Sequence, residues 1–187
     1  MRLLGRFNRS LVTCSALLLS LWLPLPADAQ SPVAPDDYRL AAGDSIEVRV
    51  YGEDDLSMRL DIPGTGRVEY AFVGTFDLAG KTLRQVRDEF YQRLLGDYLI
   101  EPRVSVSVVR YRNFYIYGEV ARPGGYAWEP GLTVRKVITL AGGLKERASG
   151  SKWFLVPEGG SQEDQRRVSE DDRVGAGDTI TIEQSFF

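Results

Sequence analysis

Residues 123–144 constrain the fold of this chain more than any other segment. They run PGGYAWEPGLTVRKVITLAGGL, which combines a tight turn at the end of a strand with a short helix and a paired-glycine stop. Thr133 stands at the expected helix N-cap, and Gly142 and Gly143 tolerate the positive φ that ends a helix. The apolar face of this helix comprises Val134, Val137, Ile138 and Ala141. We expect one supersecondary unit of a small domain, and nothing in it supplies reactive chemistry.

The first thirty residues predict export from the cytoplasm. Three arginines lie within the first nine residues, and an apolar run follows over 11–25. Residues 27–29 are Ala-Asp-Ala, the small-x-small pattern that signal peptidase cuts. The apolar run is shorter than the roughly 20 residues of a membrane-spanning helix, and prolines interrupt its end. We therefore expect a cleaved signal peptide over 1–29 and a flexible lead-in over 30–37.

Cys14 is the only cysteine, and it precedes most of the apolar run, where a lipid-accepting cysteine is not expected. A mature chain without it has no disulfide, so its core must supply the stability. Cleavage would remove three of 23 basic residues and one of 26 acidic residues, leaving 20 against 25 and a net charge of −5. This charge argues against a nucleic-acid partner.

The chain contains no histidine, which excludes imidazole zinc sites and histidine-activated nucleophiles. Its 43% hydrophobic and 26% charged residues are typical of a globular protein. Two carboxylates could still form a glycosidase site, but a catalytic acid needs burial to raise its pKa. The acidic clusters lie in polar, turn-rich segments: Asp54-Asp55, Glu163-Asp164 and Glu170-Asp171-Asp172. We expect solvated loop charges, with no catalytic residue, metal or cofactor.

Alternating apolar and polar residues predict strands over 46–50 and 104–108, and a less regular one over 67–73. Thr82 and Gln85 have the spacing of a capping box and begin a helix that Gly96 can end. The apolar face of that helix comprises Leu83, Val86, Phe90 and Leu94.

The segment 111–117 is rich in aromatic residues and also has the composition of a strand. Alternation predicts Tyr111, Tyr115 and Tyr117 on one face, opposite Phe114 and Ile116. Together with Arg110 and Arg112, these tyrosines are candidates for stacking against sugar rings. Sheet cores and subunit contacts use the same residue types, and that interpretation is favoured.

A Gly-Asp turn precedes an alternating strand in two places, at residues 43–44 and again at 177–178. A compact strand is also predicted over 153–156. The two turns suggest a shared local device, although so short a repeat does not establish a duplication.

Several short motifs occur in order along the chain. They are YRL at 38–40 with GD at 43–44, LAGKTL at 78–83, PRVSV at 102–106, GEVARPGGY at 118–126, PGLTV at 130–134 and LAGGL at 140–144. The first four resemble the polysaccharide biosynthesis/export family of outer-membrane polysaccharide exporters, and the last two resemble the adjoining SLBB domain.

The resemblance implies an α+β fold in two parts. A polysaccharide export domain with a small mixed β-sheet and a packed helix is expected over 38–112, and a β-grasp-like SLBB domain over 113–187. Residues of the family motifs are expected to have structural roles in turns and close packing: Gly43, Asp44, Gly80, Pro123, Gly124, Tyr126, Gly142 and Gly143.

The resemblance also implies transport of capsular or extracellular polysaccharide across the Gram-negative envelope. The best-known members are ring-shaped lipoproteins with a C-terminal membrane helix, whereas this sequence has no suitable lipid-acceptor cysteine and ends after the strand expected to complete its first SLBB domain. We therefore expect a periplasmic homo-oligomer without enzymatic activity. It would guide polysaccharide between an inner-membrane copolymerase and a separate outer-membrane channel.

Two other functions stay open at this point. One is a soluble ligand-binding SLBB module, because such domains resemble folds that hold small ligands. The other is a periplasmic glycan hydrolase built on the acidic clusters. The C-terminal residues 185–187, Ser-Phe-Phe, are expected either to dock a partner or to fold back onto the core.

Overall fold

A computed structural model describes residues 37–70 and 73–185. The expected signal peptide, Cys14, nearly all of the lead-in and the two C-terminal phenylalanines lie outside the described residues. The described part of the chain contains two α-helices and ten strands, arranged as a three-stranded sheet, a five-stranded sheet and a hairpin. This is the α+β class predicted from the sequence. None of the helices within these ranges is long and apolar enough to cross a membrane.

The first sheet has three antiparallel strands in the order β2-β1-β5, with β1 at Ser45–Val50, β2 at Met58–Asp61 and β5 at Val104–Arg110. The period-two pattern of β1 places Ile46, Val48 and Val50 in the core, as predicted. The sequence does not predict β2, because its four residues include only one buried side chain.

A separate antiparallel hairpin follows, with β3 at Arg67–Tyr70 and β4 at Gly74–Asp77. The predicted single strand over 67–73 is therefore wrong at its C-terminal end. The N–H of Val73 donates to the carbonyl of Tyr70 at 3.3 Å, which is a turn contact rather than a strand contact. The chain reverses there because β4 pairs back onto β3.

Helix α1, at Leu83–Leu94, begins with the predicted capping box. The hydroxyl of Thr82 accepts from the Gln85 N–H at 3.3 Å, and the Gln85 side chain accepts from the Thr82 N–H at 2.9 Å. The predicted apolar face is confirmed, since Val86, Phe90 and Leu94 are buried and Leu83 is partly buried.

Three aromatic side chains pack the helix against the hairpin. Phe76 and Phe90 stack with ring centroids 4.1 Å apart, and Tyr70 meets the edges of both rings. The Tyr70 hydroxyl donates to the Leu56 carbonyl, so the polar end of this buried ring is satisfied. Aromatic area of this kind is a large part of what holds a small domain together.

The second sheet has five strands in the order β7-β6-β10-β8-β9. Their bounds are β6 Asn113–Gly118, β7 Gly124–Ala127, β8 Ala148–Val156, β9 Arg166–Arg167 and β10 Thr179–Gln184. β10 pairs parallel with β6 and every other pairing is antiparallel, so this sheet is mixed. The buried hydrophobic side chains of its inner face are Phe114, Ile116, Trp153, Leu155, Ile180 and Ile182.

Helix α2, at Val134–Leu140, contributes Val134, Val137 and Ile138 to the core, as predicted. Its glycine stop is also confirmed, because Gly142 and Gly143 have φ of 84° and 92°. The predicted side-chain cap is wrong: Thr133 stands at the N-cap, but its hydroxyl makes no capping hydrogen bond.

The first amides of α2 are instead satisfied by the loop between β9 and β10. The Val134 N–H donates to the Asp172 carbonyl at 3.0 Å, and the Arg135 N–H donates to the Glu170 carbonyl at 2.9 Å. Main-chain carbonyls satisfy the free donors of a helix N-terminus as well as a hydroxyl does. Carbonyls of the distant loop therefore do the capping that was expected of the Thr133 hydroxyl.

Candidate functional site

The two Gly-Asp turns are the same local device, as predicted. The Asp44 carboxylate accepts from the Ala41 N–H at 2.9 Å, and the Asp178 carboxylate accepts from the Gly175 N–H at 2.7 Å. In each turn the glycine before the aspartate has a positive φ, 91° at Gly43 and 87° at Gly177. Only glycine adopts this backbone conformation without strain. One turn leads into β1 and the other into β10.

Arg112 connects these two turns. Its Nη1 donates to Asp44 Oδ2 at 2.9 Å, and its backbone N–H donates to Asp44 Oδ1 at 2.8 Å. On the other side, Nη2 donates to Glu158 Oε2 at 2.5 Å. The Glu158 N–H in turn donates to Asp178 Oδ1 at 3.2 Å. The network therefore runs from the first turn through Arg112 and Glu158 to the second turn.

Both carboxylate oxygens of Asp44, at the buried end of this network, accept hydrogen bonds. Asp44 is inaccessible to solvent, and its carboxylate accepts from the Tyr38 hydroxyl as well as from the donors of Ala41 and Arg112. Burial on its own would lower the pKa of the Arg112 guanidinium. The hydrogen bond to Glu158 and the nearby Tyr38 and Asp44 outweigh burial, so the pKa of Arg112 lies above its ordinary value. Arg112 is therefore a fixed, permanently charged group.

An aromatic cluster supports the same link between β5 and β6. The rings of Tyr38, Tyr111 and Trp128 lie 4.9 to 5.6 Å apart, centroid to centroid. The indole N–H of Trp128 donates to the Val174 carbonyl at 2.6 Å. Burial, followed by the Asp44 charge, raises the pKa of Tyr111 to about 12. For Tyr38, burial and then Asp44 raise the pKa well above its ordinary value.

The prediction that Tyr111 shares a face with Tyr115 and Tyr117 is wrong. Tyr111 is buried, whereas the other two tyrosines are about half exposed. β5 ends at Arg110 and β6 begins at Asn113, so the alternation is not carried across the break. The break forms because the Arg112 N–H donates to Asp44 instead of to a neighbouring strand.

A groove of about 590 Å³ lies beside Arg112. It is lined by both glycine turns, residues 110–113, Tyr115 and Glu158. The volume is within the range of ligand-binding clefts. Four of the five predicted contact residues line the groove, namely Arg110, Tyr111, Arg112 and Tyr115. Tyr117 lies next to them, two residues beyond Tyr115 on β6.

Sequence reasoning missed Glu158 and Trp128 as parts of this site, and it treated Tyr38 only as a family-motif residue. Tyr38 lies six residues before its partner Asp44, so a local signal existed. Glu158 is 46 residues from Arg112 and lies in a polar loop, where nothing distinguishes it from other surface acids.

Most of the other family-motif residues have structural positions away from the groove. The Gly80 N–H donates to the Leu40 carbonyl at 2.7 Å, with φ of 79°. Tyr126 stacks on Phe114 at 5.8 Å, and its hydroxyl donates to the Arg122 carbonyl. Pro123 and Gly124 lie at the exposed start of β7.

The acidic clusters lie at the surface, and two of the three have structural partners, while Asp54 and Asp55 are exposed. Asp164 caps the turn that Ser161 begins, and Arg135 pairs with both Glu170 and Asp171. Hydrogen bonds from the backbone and the hydroxyl of Ser169 lower the pKa of Asp172, the opposite of what a catalytic acid requires. Across 37–70 and 73–185, no group of three potential ligand side chains is placed to hold a metal ion.

The fold and the groove define a class: an α+β protein in which a small sheet with a packed helix is followed by an SLBB-type mixed sheet. Comparison with known families agrees with this description. The model of polysaccharide biosynthesis/export proteins matches residues 32–109, and the SLBB domain model matches residues 113–164. The chain belongs to the polysaccharide biosynthesis/export family and carries an SLBB domain.

Curated relatives have names of the same kind. The exopolysaccharide production protein ExoF of Rhizobium meliloti is 31% identical over 169 residues, covering 83% of this chain and 40% of the relative. The EPS I polysaccharide export outer membrane protein EpsA of Ralstonia solanacearum is 25% identical over 151 residues, covering 67% of this chain and 40% of the relative. The chain thus spans about two fifths of the length of these relatives.

Proposed function

We propose that this protein is an envelope component of exopolysaccharide export and that it binds the polymer in transit. The family match and the names of the relatives support this role. The observation that carries the proposal is the groove itself, in which Arg112 is held between Asp44 and Glu158 while Tyr115 lies at the edge.

The lining of the groove suits a carbohydrate. Arg110, Asn113 and Glu158 present planar donors and acceptors, which match the adjacent hydroxyl groups of a sugar. Tyr115 adds an exposed aromatic surface for the apolar face of a sugar ring. The network on Arg112 holds Glu158 in place before a ligand arrives, which reduces the entropy cost of binding.

The proposed role is guidance without bond chemistry. A glycosidase needs one carboxyl whose pKa is raised and a second one close to it. The acidic clusters of this chain lie at the surface instead, and two of the three are engaged in caps and ion pairs. We therefore assign the protein no catalytic residue and no cofactor.

We place this activity in the periplasm, after cleavage of the signal peptide. The partners we propose are an inner-membrane polysaccharide copolymerase, a separate outer-membrane channel and further copies of the same chain. The name of the Ralstonia solanacearum relative, which mentions the outer membrane, supports an envelope location. We place the boundary between the export domain and the SLBB domain at residues 112–113, in the link that Arg112 anchors.

Deletion of the gene tests the export role. Polysaccharide would be measured outside the cell, in the periplasm and in total, in the wild type, the deletion strain and the complemented strain. The expected result is a loss of external polymer with retained or increased periplasmic polymer, restored by complementation. An unchanged distribution in a strain that makes polymer and has no second copy of the gene would contradict the role.

A further inference from the structure

We propose that Gly125 orients the ring of Tyr115, so that Tyr115 and Tyr117 form a two-ring track on which consecutive sugar units of the polymer stack. This inference rests on the proposed function and adds the mode of binding. It makes Gly125 a positioning residue, although glycine itself contributes no side chain to the contact.

Tyr115 and Gly125 lie directly opposite each other on β6 and β7. A Cβ atom built on Gly125 would lie 2.9 Å from Cε1 and 3.1 Å from Cδ1 of the Tyr115 ring. The ring therefore occupies the space above β7 that a side chain at position 125 would fill. Aromatic side chains cover glycine in this way on neighbouring strands. The ring leans over β7 and leaves its remaining surface to solvent.

Tyr117 extends the same surface along β6. It lies two residues beyond Tyr115, so both side chains project from the same face of the sheet, with Cα atoms about 7 Å apart. The two side chains are 52% and 45% exposed. On the other side of β6, Thr179 and Thr181 of β10 lie opposite the two tyrosines. Because threonine side chains are short, they do not cover the tyrosine rings from the β10 side.

The surroundings of the track favour a sugar polymer over a protein surface. Tyr115 also lines the groove beside Arg112, so the track leads directly into a set of polar, planar side chains. A polysaccharide offers the same combination of apolar ring faces and hydroxyl edges in every unit. Tyrosine is also well suited to such contacts, because few rotatable bonds are fixed when it binds.

Affinity electrophoresis of the full exported protein tests the track. The probe is exopolysaccharide purified from the culture medium of the wild-type strain and cast into native gels at increasing concentration. We expect Tyr115→Ala and Tyr117→Ala each to weaken binding by several fold to about tenfold. Gly125→Ala should weaken binding by a similar factor while both tyrosines remain, because the added methyl group displaces the ring.

Gly150→Ala is the matched control. Gly150 lies in β8 of the same sheet, and a Cβ atom there meets no other atom within 4 Å, so the affinity should stay that of the wild type. Tyr115→Phe keeps the ring and should bind the polymer more tightly than Tyr115→Leu, which removes it. The comparison of Tyr115→Phe with Tyr115→Leu stays informative if Gly125→Ala does not fold.

Three affinity results would overturn the inference. They are wild-type affinity in a folded Gly125→Ala variant, equal affinity of Tyr115→Phe and Tyr115→Leu, and no retardation of the wild-type protein by the polymer. A changed oligomeric state with unchanged retardation would instead assign the tyrosines to a subunit contact, which also overturns it. The export role is judged separately by secretion from the deletion strain, so failure of one does not imply failure of the other.

Discussion

Nη1 of Arg112 lies 2.9 Å from Oδ2 of Asp44, and only 14% of the arginine side chain and none of the aspartate side chain is exposed. This pair joins the link between β5 and β6 to the turn that begins β1. The second guanidinium nitrogen, Nη2, is left to hold Glu158, so one side chain connects the core of the protein with the wall of the groove.

Replacement of Arg112 by alanine is expected to destabilise the protein by about 3 kcal/mol, because it leaves a buried carboxylate without its charged partner. Arg110→Ala is the control, since the ion pair of Arg110 with Asp61 is exposed and should contribute less than about 1 kcal/mol. Urea unfolding measures both free energies. Equal losses in the two variants would contradict the structural role of the buried pair.

Gly118→Ala is expected to cost about 4 kcal/mol or more, a loss outside the ordinary range for single substitutions. Its Cβ would lie 2.1 Å from the Ile182 carbonyl oxygen, at a φ of 94°. Gly131→Ala is the matched comparison, because Gly131 also has a positive φ but open space around it. Gly131→Ala should lose only the free energy that a non-glycine residue needs to adopt a positive φ, about 1 to 2 kcal/mol. Thermal unfolding of the two variants measures both losses, and their difference gives the cost of the steric conflict beyond that of the positive φ.

Tyr111→Phe and Tyr70→Phe should have opposite effects on stability. Within the residues that the structure describes, the buried Tyr111 hydroxyl has no hydrogen-bond partner, whereas the Tyr70 hydroxyl donates to Leu56. Removal of an unsatisfied buried hydroxyl is expected to gain up to about 1 kcal/mol, and loss of a satisfied one to cost about 1 kcal/mol. Chemical denaturation of both variants gives the sign of the change in the free energy of unfolding. A destabilised Tyr111→Phe would show that the hydroxyl has a partner in solution.

Stability should fall in alkaline solution. Burial raises the pKa of Tyr70 and of Tyr111 to about 12, with a further contribution from Asp44 at Tyr111, while in the unfolded chain both titrate near 10. The folded state holds these protons more tightly, so their contribution is complete below about pH 10 and is lost as pH rises through about 12. The double Phe variant should show a shallower decline. An identical pH dependence of unfolding in the wild type and this variant would contradict the assignment.

The features that the sequence predicted correctly are those set by neighbouring residues. The capping box of Thr82 and Gln85, the buried face of α1 and the glycine stop after α2 all depend on residues within a few positions of one another. The repeated Gly-Asp turn was also visible, because each aspartate receives its hydrogen bond from the residue three positions earlier.

The features that the sequence missed depend on contacts between distant parts of the chain. Tyr111 is buried because a bend at Arg112 breaks the strand alternation, and that bend depends on Asp44, 68 residues away. The Thr133 side chain does not cap α2, because the first backbone amides of the helix donate to the carbonyls of Glu170 and Asp172 instead. Glu158 joins the groove through the same kind of long-range pairing, which no local pattern encodes.

The most direct test of the proposed passage of polymer over this protein is a photo-crosslinking experiment in living cells. A benzophenone amino acid would replace Tyr115, and in a control strain Tyr51, which is also an exposed tyrosine but does not line the groove. After illumination during polymer synthesis, the purified protein would be probed for attached polysaccharide. We predict polysaccharide on the protein with the probe at position 115 and none with the probe at 51. Equal labelling at both positions, or none at either while the strain exports polymer, would contradict the proposed role.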